Sequence, residues 1–190
     1  MGFLDPLLGR RKTKASAPDR LFAITTAYVS LEAEHGISTA GAAAIVFQSL
    51  PTGDFNQIVA DVEETVRGTG QETGTNVETK DDEFGYRWMI LRDTDLEDLA
   101  VGVNAVSDAL EINGYKDRVL CAVFAFKDTD GSPLYLIYNY KRGTWYPFVP
   151  GAGAHERATE RELRLKAVLA ADLPIEPELD RWFPLWDIPI

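Results

Sequence analysis

Two β-rich runs joined by a short connection constrain the fold of this chain more than any other feature. Residues Val119 to Phe126 and Leu134 to Tyr140 are dominated by Val, Phe, Leu, Ile and Tyr, which suit the pleated surface of a strand. The connection contains Asp130-Gly131, a pair that is typical of tight turns. The pattern predicts a β-hairpin, followed by a third strand through Thr144 to Tyr146.

Helical periodicity is strongest between Asp95 and Asn113. Apolar residues recur there at spacings of three and four, which predicts a helix with one buried face. Thr94-x-x-Glu97 has the form of a capping box, and Gly114 stands where helices commonly end in a left-handed residue.

Two further helices follow from weaker patterns. Asp54 is the expected N-cap of a helix that ends at Gly68, and the Gly- and Thr-rich residues 68–76 are then expected to form a loop. Residues 156–171 are expected to form the other helix, supported by opposite charges at the four-residue spacing. These charge pairs are Glu160 with Arg164 and Glu162 with Lys166.

Shorter signals complete the element order. Asp19 to Ile24 favours a brief helix, and Tyr28 to Leu31 favours a strand that ends near His35. Further strands are predicted at residues 43–47, 77–79 and 84–91. This order offers few β-α-β crossovers. We therefore expect a single compact α+β domain, in which a largely antiparallel sheet is packed by about three main helices on one side.

The chain divides into three parts by composition. Residues 1–17 form an arm with a short apolar head and a basic tract, and residues 18–172 form the α+β domain. Residues 173–190 are rich in Pro and Trp, so we expect an extended tail that packs on the domain.

Charge is distributed unevenly along the chain. The net charge is −11, and a protein that neutralises nucleic-acid phosphates needs a basic surface, so nucleic acid is not an expected partner. Residues 1–14 carry four cations and Asp5 alone, a local charge of +3, which leaves −14 on the remainder.

The composition of the arm is typical of a membrane or partner contact. An apolar head beside cations can bind an anionic membrane surface, where each cation contributes about 1 kcal/mol. Pro6 and the short length disfavour the helix through which such an arm would bind a membrane. Docking of the arm on its own domain or on a partner protein therefore explains the same pattern equally well. The residues assigned to this contact are Phe3, Leu4, Leu7, Leu8, Arg10, Arg11, Lys12 and Lys14.

The sequence contains no pattern typical of a catalytic, metal or cofactor site. It has no Gly-rich phosphate loop, no Gly-x-Ser-x-Gly and no His-Glu-x-x-His. His35, His155 and Cys121 are not spaced as metal ligands, and the apolar run around Cys121 indicates a buried free thiol. The acidic cluster Asp81-Asp82-Glu83 is expected to be a solvated surface, with a hydrolase site as the remote alternative.

Aromatic residues are concentrated in residues 141–150 and 181–186, which hold three of the four tryptophans. Such density is typical of a recognition surface, since Trp, Tyr and Arg dominate binding hot spots. The alternative, which we favour, is that the two segments pack together as a satellite core, because soluble proteins seldom expose large aromatic areas. The candidate recognition residues are Lys141, Arg142, Trp145, Tyr146, Trp182, Phe183 and Trp186.

Three segments carry a resemblance to a known family. They are the opening Met1 to Arg10, the segment Tyr140 to Phe148, and Asp172 to Trp186 near the end. In these segments, and in length and order, the chain resembles the PspA-associated protein family (the PspAB group). The resemblance implies association with PspA, a membrane-remodelling coiled-coil protein of the phage-shock, or envelope-stress, response, and it carries over no catalytic residue.

Two functions follow from these observations. The first is a non-enzymatic accessory or adaptor protein that binds a PspA-type coiled-coil protein and uses its arm for lipid or partner contact. The alternative is a chaperone-like module that holds a peptide or a small ligand in a groove near Trp145 and Trp182. No apolar run approaches the about 20 residues needed to span a membrane, and the N-terminus lacks a secretory pattern. A cytoplasmic location is expected, with peripheral contact at the inner membrane face.

Overall fold

The structure of the protein is a computed structural model, and it describes residues 17–190. The elements follow one another as α1 (Ala17–His35), β1 (Ser38–Gln48), α2 (Gly53–Thr73), β2 (Asn76–Asp81), β3 (Tyr86–Arg92), α3 (Leu96–Ile112), β4 (Val119–Lys127), β5 (Pro133–Asn139), β6 (Thr144–Phe148) and α4 (Thr159–Leu169). The predicted fold class, a single α+β domain with an antiparallel sheet, is confirmed.

One six-stranded sheet organises the domain. Its strands lie in the order β2-β3-β1-β4-β5-β6, and every neighbouring pair is antiparallel. The predicted hairpin is confirmed as β4 and β5, whose turn contains Gly131 at a φ of 82°. The third predicted strand is confirmed as β6, which runs on through Pro147 because an edge strand tolerates proline.

Both faces of the sheet are buried. Helices α1, α2 and α3 pack on one face, against side chains that include Ile45 and Phe124. Their neighbours in the same strands, Val46 after Ile45 and Val123 before Phe124, belong to the core on the opposite face. A strand that is buried on both sides needs apolar residues throughout, which explains why β1 and β4 show continuous apolar runs instead of alternation.

The first helix replaces a predicted strand. Tyr28 to Leu31 lies in α1, so the strand prediction there is wrong. Leu21, Ile24 and Ala27 recur at a spacing of three and are buried, while Val29 is 67% exposed on the outer side. This helical stripe outweighs the strand preference of the Tyr-Val pair, because burial of one helix face contributes more than local propensity.

The second helix begins earlier and ends later than predicted. Its N-cap is Thr52, whose hydroxyl accepts a hydrogen bond from the Phe55 amide at 3.4 Å, and not Asp54. The helix continues past Gly68 and ends only at Gly74, which has a left-handed φ of 96°. The predicted Gly- and Thr-rich loop is therefore helical over most of its length.

The third helix is confirmed, with a different cap. Asp95, and not Thr94, is the N-cap, since its carboxylate accepts from the Glu97 amide at 2.7 Å. Gly114 follows the helix with a left-handed φ of 83°, as predicted. The fourth helix is shorter than predicted, because it begins only at Thr159.

The tail, residues 173–190, covers the face of the sheet opposite helices α1 to α3. Ile175 forms a parallel bridge with Trp145 on the outer edge of β6. Trp182 is only 3% exposed, and its ring stacks on Tyr146 with 6.3 Å between centroids. Other apolar tail residues on this face are Leu185, Trp186, Ile188 and Ile190. The sheet thus lies between helices on one side and the tail on the other.

A buried carboxylate fixes the start of the tail. Glu176 is 1% exposed and accepts hydrogen bonds from the Arg142 guanidinium and the Thr144 hydroxyl. Burial acts to raise the pKa of Glu176, but the hydrogen bonds from Arg142, the Glu178 amide and Thr144 outweigh it and hold the pKa below its ordinary value.

A second buried carboxylate joins α4 to the tail. Glu162 pairs with Arg157 at 2.9 Å and accepts from the Val149 amide at 2.9 Å, so it does not form the predicted pair with Lys166. Arg157 also donates to the Trp182 carbonyl at 2.6 Å. One guanidinium therefore ties the buried acid to the tail.

Candidate functional site

An open groove lies at one end of the sheet, where residues of the tail on one face and of α1 and α3 on the other face both line it. Its floor includes Trp88, Cys121 and Tyr146. The turn between β2 and β3 forms part of its wall, and so do tail residues that include Phe183 and Trp186. Its volume is about 1380 Å³, which exceeds the roughly 300–1,000 Å³ of pockets that bind small molecules. The groove is therefore large enough for a segment of polypeptide.

Exposed apolar side chains flank this groove. Phe84, in the turn between β2 and β3, is 76% exposed, and Phe183 in the tail is 58% exposed. Leu120, at the start of β4, is 37% exposed. A single exposed apolar residue is ordinary, but three around one concave surface indicate a site of protein contact.

The groove is negatively charged. Among the lining residues within 17–190, seven are acidic and three are lysines, which gives these described residues a charge of −4. The acidic residues are Asp81, Asp82, Glu83, Asp108, Glu111, Asp117 and Asp187, and the lysines are Lys80, Lys116 and Lys141. Glu111 pairs with Lys116, whereas Glu83 and Asp117 have no ion-pair partner within residues 17–190. The unpaired carboxylates favour a cationic occupant.

The acidic cluster at residues 81–83 holds the turn that forms part of the groove wall. One carboxylate oxygen of Asp82 accepts from the amides of Phe84 and Tyr86, each at 2.9 Å. The other accepts from Nε1 of Trp88 at 3.0 Å. Both oxygens of Asp82 are therefore engaged in fixing the turn and the indole, an arrangement that gives the hydrolase alternative no support.

Two buried titratable groups line the groove. The Tyr140 hydroxyl lies beside Ser107 but makes no hydrogen bond of normal geometry within the described part of the chain, and burial raises its pKa above the ordinary range. Burial also raises the pKa of the Cys121 thiol to about 12, and the predicted buried free thiol is confirmed. A thiol with this pKa remains protonated and is a poor nucleophile.

The predicted recognition residues differ in their burial and in their contacts. Trp145 is fully buried on the helix face, where its Nε1 donates to the Arg20 carbonyl at 2.8 Å. Trp182 is buried between Tyr146 and Lys166, whose ammonium lies 5.7 Å from the indole centroid. These tryptophans present no surface to a partner.

The other predicted recognition residues lie nearer the solvent. Arg142 is engaged by Glu176 outside the groove. Those that line the groove are Lys141, Tyr146, Phe183 and Trp186. The predicted contact residues of the arm lie outside the described residues, so their location is not assigned.

Sequence reasoning missed the contribution of β3 and its preceding turn. The local sequence pattern predicts ordinary strand residues at Phe84, Tyr86 and Trp88. It does not indicate which end of the sheet remains uncovered by the tail. The two-residue spacing of Tyr86 and Trp88 does place both on one face. That spacing was the available signal.

Residues 17–190 contain neither a candidate membrane-spanning helix nor a cluster of metal ligands. Across residues 17–190, no helix combines the length and apolarity that a membrane span requires. Nor do three His, Cys, Asp or Glu side chains in that range converge to hold a metal ion. His35 ends α1, and the His155 ring packs against Trp186 at 5.2 Å between centroids.

The chain is an α+β protein with a groove whose volume is large enough for a segment of polypeptide and whose described lining residues carry a net negative charge. The family model described as PspA associated protein B matches residues 1–190, the whole chain. The chain therefore belongs to the PspA-associated protein B family, and the resemblance seen in the sequence is confirmed. The family description indicates association with PspA, in accord with an accessory role. Neither the curated proteins nor the solved structures contain a match to this chain.

Proposed function

We propose that the protein is a non-enzymatic accessory protein of a phage-shock, or membrane-stress, system, and that its groove binds a PspA-type coiled-coil protein. The observation that carries this proposal is the groove itself, which combines an aromatic floor, three exposed apolar side chains and a volume above that of small-molecule pockets. The family description supplies the identity of the partner.

The groove has the properties that an amphipathic helix requires of a binding site. Such a helix is about 10–12 Å across, and it binds a groove through apolar anchors spaced three and four residues apart. Phe84 and Phe183 both line the groove and are exposed, so they can contact those anchors. The charge of −4 favours a stripe that is flanked by lysine or arginine.

A membrane contact by the arm completes the proposal. The apolar head is suited to the interface, and the four cations at Arg10, Arg11, Lys12 and Lys14 would contribute about 4 kcal/mol at an anionic surface. Binding of this strength is reversible and weakens as salt rises. The protein would then act in the cytoplasm, in peripheral contact with the inner membrane face.

Charged substitutions test the groove. Purified PspA-type protein is pulled down by the full-length chain. The double variant Phe84→Asp/Phe183→Asp is expected to lose binding, because the groove loses two exposed aromatic side chains that a partner would contact. Both side chains are exposed, so the fold should be retained. Val29→Asp is the matched control, since Val29 is exposed but does not line the groove. Undiminished binding by the double variant would contradict the site, and no binding by the wild type would contradict the partner.

Vesicle sedimentation tests the arm. Deletion of residues 1–14 is expected to reduce binding to anionic vesicles at low salt, and neutral vesicles serve as the control. Equal sedimentation of the deleted and full-length chains would rule out the membrane contact.

The groove also supports the second candidate, a module that binds a peptide or a small ligand. Trp88 and Trp186 are among the residues that line the groove, whereas Trp145 and Trp182 are not, so the proposed ligand site is beside the first pair. A screen by tryptophan fluorescence separates the two functions. An adaptor is expected to give no response to small molecules, and a saturable response that Trp88→Phe abolishes would favour the ligand-binding module.

A further inference from the structure

We propose that the chain's own arm, residues 1–16, occupies the groove when no partner is bound. This inference rests on the proposed function only in assigning a regulatory role to the same site. The docking itself is tested on the chain alone, so it stands or fails separately from binding of a PspA-type protein.

The arm joins the domain at the edge of the groove. Nη1 of Arg20 donates to the Gly143 carbonyl at 3.3 Å, and the Arg20 carbonyl accepts from Trp145, so the first turn of α1 is fixed to the turn between β5 and β6. Leu21, one residue further along, lines the groove. The arm therefore leaves α1 at Ala17, about one helical turn from the groove.

The arm is long enough to cross the groove. Leu8 precedes Ala17 by nine residues, which span about 30 Å when extended. From β5 the groove passes β4 and β1 to reach β3, a distance of about 15 Å at the usual spacing of strands. The apolar head can therefore reach Trp88 and Phe84.

Charge and polarity match along the length of the arm. Residues 1–14 carry +3, and the described residues that line the groove carry −4. The basic tract is the part of the arm nearest α1, and the carboxylates of Asp108 and Glu111 line the groove on the helix side, where Leu21 also lies. The apolar head lies farther along the chain from α1, and Trp88, on β3, is the floor residue that lies three strands from β5.

A short tether makes docking within one chain favourable. A segment joined to its site by a short flexible link has an effective concentration in the millimolar range, so even a weak contact is populated. A partner that uses the same groove must displace the arm, and its apparent affinity falls by the fraction of chains whose groove is free. An anionic membrane that captures the arm would then free the groove.

Paramagnetic relaxation in the full-length chain tests this docking. A nitroxide on Gly9→Cys is placed between the apolar head and the basic tract, while Cys121 is buried and stays unlabelled. We expect the amides of Phe84, Leu185 and Trp186 to lose most of their peak intensity relative to the reduced label. Loss confined to the first turn of α1 and the turn between β5 and β6 would overturn the proposal.

Two controls separate this docking from other occupants. Replacement of the four cations of the arm by glutamine is expected to restore the peak intensities in the groove, and unchanged broadening would overturn the charge match. Broadening that grows with protein concentration would show that the arm of a second copy is the occupant, and it would overturn docking within one chain.

Discussion

Trp182 should be the most sensitive residue of the tail. Its side chain is 3% exposed, and a buried tryptophan removes about 150–250 Å² from water, which corresponds to about 4–6 kcal/mol as an upper estimate. Its Nε1 also donates to the Glu176 carbonyl at 3.0 Å. We therefore expect Trp182→Ala to lower the free energy of unfolding by about 3–5 kcal/mol, the range found for truncation of buried aromatic residues.

The adjacent residue supplies the matched control. Phe183 is 58% exposed, so Phe183→Ala is expected to change the free energy of unfolding by about 0.5 kcal/mol or less. Urea unfolding followed by circular dichroism measures both variants, with the midpoints compared at equal slope. A loss below about 1 kcal/mol for Trp182→Ala, or equal losses for the two variants, would refute the conclusion that the tail is part of the core.

Three further predictions concern buried groups. Glu162→Gln leaves Arg157 without its carboxylate and is expected to cost about 3 kcal/mol in urea unfolding; no measurable change would contradict the ion pair. Cys121 is expected to resist alkylation at neutral pH in the folded chain and to react on unfolding, because burial raises its pKa to about 12. The folded pKa of Glu176 is held below its ordinary 4.5, so its contribution to stability is present above that pH and is lost as pH falls. Glu176→Gln should reduce the loss of unfolding free energy as pH falls, measured by urea unfolding at several pH values. An unchanged dependence of the unfolding free energy on pH would contradict the lowered pKa of Glu176.

Much of the fold can be predicted from the sequence because local and tertiary forces agree there. The hairpin of β4 and β5 has both strand composition and a turn signal, and α3 has both a stripe and a terminal glycine. Prediction fails where a tertiary contact decides. Tyr28 and Val29 have strand preference, yet the burial of Leu21 and Ile24 makes the segment helical.

The candidate site was less accessible to sequence reasoning. The groove depends on where the tail stops covering the sheet, and no local pattern records that position. Tryptophan density pointed to Trp145 and Trp182, but dense aromatic segments also arise where a tail packs on a sheet, as the stack of Trp182 on Tyr146 shows. Lys141 and Phe183 line the groove, and their role in recognition stays a prediction.

We propose that one groove binds both the arm and a PspA-type partner. The most direct test is calorimetric titration of purified PspA-type protein into the full-length chain and into a chain that lacks residues 1–14, without membranes. We expect both chains to bind, and the shortened chain to bind about tenfold more tightly if the arm leaves one groove in ten free. Absence of binding, or an affinity that is equal or weaker without the arm, would contradict it.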